Sequence, residues 1–217
     1  MTFQDEIRPL ITAETALLAP TLYESVSLGI DSAETRMRGR DLTKYPAQFS
    51  SLVRMDVRED LERRSLPDGW TIGGDPRLMA QLLLVHEEHN MLLRFLKENR
   101  ANAGRVPHAG SSKARQDVWS RRDIPFDFDF GSRDPEGGEP TTFLLLWAPI
   151  DRTRLDLGFT LRVVHTVEPG DHVKGVACDM ELELLQGGAI FDHLEFEGAD
   201  EAGDLFRIDI AEENDDE

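Results

Sequence analysis

Seven carboxylates in the second half of the chain recur two residues apart. They are Asp127 and Asp129, then Asp179, Glu181 and Glu183, then Glu195 and Glu197. Each set alternates with apolar residues, as Asp127 and Asp129 do with Phe126, Phe128 and Phe130. On a β-strand, side chains at i and i+2 share one face, about 7 Å apart. The spacing therefore predicts an acidic sheet face. Such a face can stay solvated and discourage edge pairing, receive a basic partner, or hold a cation. Like charges on neighbouring strands repel, so a dense plate costs stability. That cost argues for a use, and a basic partner is the use expected here.

A second group is His86-Glu87-Glu88-His89. It falls one residue short of the H-E-x-x-H pattern of zinc proteases. On a helix, His86 and His89 would be neighbours at i and i+3. Zinc would need a further ligand, such as His108 or a carboxylate. A polar patch or a turn is the plainer reading, and no metal or cofactor is expected.

A third group is basic. Lys97 to Arg122 holds seven basic and two acidic residues, among them Arg100, Arg105, Lys113, Arg115, Arg121 and Arg122. Arg36, Arg38 and Arg40 form a smaller cluster. Basic loops can neutralise phosphates. The net charge of −18 opposes nucleic acid, and pairing with the chain's own acidic half is the alternative. Residues 1–125 balance 18 basic against 18 acidic side chains, so the whole excess lies beyond them.

Several chemistries lack their motifs. There is no G-x-S-x-G elbow and no Walker loop. None of Lys44, Lys97, Lys113 and Lys174 follows an acidic residue at two positions, as a common nuclease core requires. Cys178 stands alone, which excludes an internal disulfide. Its strand register predicts a buried packing residue, and His165 reads as a satisfied core residue. Arginine outnumbers lysine 20 to 4, a hint of a bacterial source.

The elements that must carry these groups follow from periodicity. Ile7, Leu10, Ile11, Leu17 and Leu18 predict one helix; Leu22, Tyr23, Val26, Ile30, Ala33 and Met37, after Pro20, predict a second. Phe49, Leu52, Val53, Val57 and Leu61 predict a third, over about 46–64. Residues 75–98 open with an Asp-Pro helix entry and are rich in Leu, Met, Glu and Lys, which predicts a helix. A hairpin turning near Glu88-His89-Asn90 is the rival reading, since short apolar runs fit both. Residues 99–125 read as a basic connector with a short helix near 112–120. From 126 the period becomes two, giving strands around 126–130, 155–167, 176–184, 190–196 and 206–210 with turn signals between them.

These readings combine into an α+β fold: N-terminal helices packed on a mainly antiparallel sheet, a meander formed by the C-terminal half. The regions are 1–98, mainly helical; 99–125, connector; 126–211, β; and 212–217, an acidic tail, all in one composite domain. Apolar content of 40 % argues against general disorder. No signal-peptide pattern opens the chain and no apolar run is long enough to cross a bilayer. The expectation is a cytoplasmic, non-enzymatic regulatory protein of the immunity, antitoxin or DNA-mimic type, binding a basic protein. The alternatives are a nucleic-acid-associated regulator using the basic connector, and a metal-dependent hydrolase around His86 and His89.

Overall fold

A computed structural model describes residues 3–110, 116, 119–120, 140–170 and 175–188. Two helices, α1 (Phe3–Arg36) and α2 (Pro46–Leu61), cover one face of a six-stranded sheet. The strands are β1 (Trp70–Gly73), β2 (Leu83–His86), β3 (Met91–Lys97), β4 (Thr141–Pro149), β5 (Phe159–Thr166) and β6 (Cys178–Leu184). They lie in sequence order. Every neighbouring pair is antiparallel except β3 with β4. The α+β class read from the sequence is the class found. None of the described helices is long and apolar enough to cross a membrane.

The two helices expected before residue 40 are one. Pro20 lies inside α1, where it cannot donate an amide to the Ala16 carbonyl. Gly188 packs against that carbonyl so closely that a Cβ there would collide with it. The buried face of α1 is Ile7, Ile11, Leu18, Leu22, Val26, Ile30 and Ala33. Gly29 lets α2 approach, since a Cβ on it would sit 2.7 Å from Val57 Cγ2. α2 buries Phe49, Val53, Val57 and Leu61, the stripe expected of it.

The helix expected over 75–98 is instead the β2–β3 hairpin, so three strands fall inside the region read as mainly helical. Asp75 does accept an amide as a cap would, from Arg77 at 2.9 Å. The turn it starts ends at Met79 and Ala80, both at positive φ. The buried set is Leu82, Leu84 and His86, then Met91, Leu93 and Phe95, which has a period of two. Tertiary pairing with β4 overrides the helix propensity of the run.

Described residues between β3 and β4 lie on the sheet face opposite the helices. Val106, Ala109 and Trp119 pack there on Leu144, Leu146 and Val164. This explains β4, which is buried on both faces and reads as the unbroken apolar run Phe143 to Trp147. Gln116 and Trp119 are helical, within the expected short helix. The strands expected at 126–130, 190–196 and 206–210 and the acidic tail lie outside the described residues.

Candidate metal centre and charged faces

β2 ends on its inward-facing position, and that position is His86. The turn to β3 then carries His89 back over it. The turn closes through Asn90 at φ 46°, whose amide donates to the Glu87 carbonyl at 3.2 Å. The two imidazoles stack with centroids 4.4 Å apart. Trp70 of β1 meets His86 edge-on at 5.0 Å. Gly69, at φ 84°, floors the site, because a Cβ on it would run into the His86 ring.

α1 brings the third group. Glu14 falls between Ile11 and Leu18 on the buried stripe, so its carboxylate is aimed at the sheet. Glu14 Oε2 lies 3.3 Å from His86 Nε2, and Oε1 lies 3.5 Å from His89 Nε2. One ligand atom from each of the three residues falls within 4.8 Å of the others. Tetrahedral zinc with bonds near 2.0–2.1 Å sets its ligands about 3.3–3.4 Å apart. The two separations, each to a different Glu14 oxygen, are of that order. Side-chain exposure is 3 % at His86 but 20 % at His89 and 17 % at Glu14, so the site opens to solvent on one side.

The ring protons are defined by their surroundings. The His89 amide donates to His86 Nδ1 at 3.3 Å. In the neutral ring the proton is therefore on Nε2, facing Glu14. Burial lowers the His86 pKa, with a further push down from His89, against the pull of Glu14. Nδ1 of His89 is buried without a hydrogen-bond partner. A metal on either Nε2 would send the ring proton to Nδ1, where His86 meets a donor and His89 meets no acceptor. Missing outer-shell acceptors typically lower metal affinity 10- to 100-fold.

The pairing of His86 with His89 was legible in the sequence, but on a turn and not on a helix. His108 belongs to the crossover segment and is not in the cluster. Glu14 was missed. Its signal is a carboxylate in an apolar slot, in the series Ile7, Ile11, Glu14, Leu18.

The acidic face is present on β6 with the expected alternation: Met180 and Leu184 are buried, Glu181 and Glu183 exposed. Two of its three carboxylates have side-chain partners within the chain, a histidine and an arginine. Asp179 Oδ1 lies 2.7 Å from His165 Nδ1, and Glu181 Oε1 lies 2.5 Å from Arg162 Nη1. Arg162 also donates to buried Glu98 Oε1 at 2.5 Å and to the Gly104 carbonyl at 2.6 Å. Burial alone would lower the Arg162 pKa, but Glu181 and Glu98 hold it above its ordinary value. Asp127, Asp129, Glu195 and Glu197 lie outside the described residues.

Cys178 is exposed, contrary to its expected burial. Met180 pairs with His165 and Cys178 with Thr166, which leaves Asp179 as an extra residue in a bulge. One extra residue moves the side chains beyond it to the other face. Burial of the thiol by its surroundings, with help from Glu181, still pushes its pKa up to about 11.

Of the basic candidates, Arg36 pairs with Asp56 at 2.8 Å, while Arg38 and Arg40 are exposed. Arg100 bonds the Pro149 carbonyl and the Ile150 carbonyl. Arg105 is exposed beside an open cleft of about 490 Å³ that also contains Arg162, Glu98, Glu181 and Glu183. Lys113, Arg115, Arg121 and Arg122 lie outside the described residues. No protein-family model, curated protein or solved structure matches the chain.

Proposed function

We propose that this protein binds a divalent transition metal, zinc by ligand type, through Glu14, His86 and His89. The observation that carries the reading is the convergence of Glu14 from α1 on two histidines of the β2–β3 turn. Two imidazoles and one carboxylate with an open side is the ligand pattern of hydrolytic zinc sites, where water takes the fourth position. A metal held there would lower the pKa of a bound water and supply hydroxide near neutral pH. The test is zinc titration of chelator-treated protein by calorimetry, with elemental analysis. About one ion per chain is expected, and Glu14→Ala, His86→Ala and His89→Ala should each weaken binding at least tenfold. Wild-type protein that takes up no zinc at millimolar concentration overturns the proposal. So does an unchanged affinity in the triple variant.

A second reading is a basic protein partner on the acidic face. It is supported by the net charge of −18 and by the exposure of Glu181 and Glu183 on β6. Pull-down with Glu181→Gln and Glu183→Gln as the control tests it. The reading requires a partner whose association slows in that variant.

A further inference from the structure

Lys97 ends β3 beside Trp147 of β4. Its ammonium lies 5.1 Å from the centroids of both the Trp147 and the Phe49 ring. Among the described residues no carboxylate pairs with it. The charges that act on it are cations, Arg152 and Arg100. Burial first, and those two arginines second, lower its pKa to about 8. At pH 7.4 about one such amine in five is unprotonated, against about one in a thousand for an ordinary lysine. A desolvated lysine beside another cation is the setting in which the amine becomes a nucleophile.

The space next to the amine selects the electrophile. A cavity of about 30 Å³ is walled by Phe49, Pro149 and Leu155, with Thr43 and Arg152 as its polar lining. A water needs about 10–15 Å³ of such volume, so the cavity admits two or three small atoms. That accommodates a molecule the size of carbon dioxide.

We propose that Lys97 is a carbon dioxide acceptor, forming a carbamate in this cavity. The nitrogen lone pair bonds to carbon, one C–O π pair moves onto oxygen, and the nitrogen releases a proton to solvent. The balance is R–NH2 + CO2 → R–NH–COO⁻ + H⁺, with no oxidant or reductant. The side chain changes from cation to anion. Arg152 and Arg100, which repel the ammonium, attract the carbamate.

The full chain is incubated with ¹³C-bicarbonate, and carbamate is followed by ¹³C NMR. Trapping by alkylation and mass spectrometry then locates the label. The chain's α-amine, with a pKa near 8, is the internal positive control. Expected is saturable label on Lys97, absent in Lys97→Met and reduced about tenfold in Arg152→Gln. Label on the α-amine but not on Lys97 overturns the proposal. Because the wild-type map alone decides this, the conclusion stands even if Lys97→Met fails to fold. Unchanged label in Arg152→Gln overturns the role of the cationic lining.

Discussion

Replacing Arg162 by Met should be among the most damaging single changes in the sheet. Arg162 is 12 % exposed at its side chain and Glu98 only 4 %. Removing the guanidinium leaves the Glu98 carboxylate buried, with Oε2 already lacking a partner. Breaking one side of a buried pair costs about 3–5 kcal/mol. The Glu181 contact adds little, since that carboxylate is 59 % exposed. With a urea dependence of about 2 kcal/mol per molar, the unfolding midpoint should fall by about 1.5–2.5 M. Replacing both partners, Arg162→Met with Glu98→Leu, removes the stranded charge and should recover most of the loss. Urea unfolding of the wild type, Arg162→Met and the double variant at pH 7.5 tests the argument. A double variant as unstable as Arg162→Met would refute it.

Lys97→Met should stabilise the protein at pH 7 in buffer free of carbon dioxide. Lowering the amine pKa from 10.5 to about 8 costs the charged folded state about 3 kcal/mol, partly offset by two ring contacts of about 0.5–1 kcal/mol each, so a gain of about 1–2 kcal/mol is expected. Between pH 8 and 10.5 the unfolded wild type binds more protons than the folded one, so wild-type stability rises and the gap should close by pH 10.5 in urea melts. Gly69→Ala forces a positive φ on a side chain and displaces the His86 ring; it should cost about 1–3 kcal/mol and weaken zinc binding, read by thermal unfolding and calorimetry. Glu183→Gln should change stability by less than about 0.5 kcal/mol, since its carboxylate is exposed, and a larger loss in a urea melt would mean that the face is structural.

Periodicity served where one face is wet. The α2 stripe and the alternation of β6 were legible because burial on one side leaves its period in the sequence. It failed where burial has two sides or where the partner is remote. β4 shows no alternation because the crossover covers its second face. Leu82 to Val85 fit a helix or a strand equally, and only pairing with β3 decides. Glu14 was invisible as a site residue because its partners lie some seventy positions later. The β6 carboxylates were legible as a set, but their internal partners Arg162 and His165 were not. Cys178 was misplaced by a one-residue bulge that no composition signal marks.

The single parallel seam, between β3 and β4, bears on the order in which the chain acquires its shape. The β2–β3 hairpin turns within four residues and can zip within microseconds, while β4–β5 and β5–β6 pair neighbouring strands through connections of 9 and 11 residues. The seam waits for the chain between Lys97 and Thr141 to close into a loop. Closure entropy grows only slowly with loop length, about 0.6 kcal/mol per doubling, so the crossover can vary in length at little thermodynamic expense. Thr141 and Thr142 pair with β3 and have no register partner in β5, so substitutions there register mostly as the rate-setting docking of two preassembled halves.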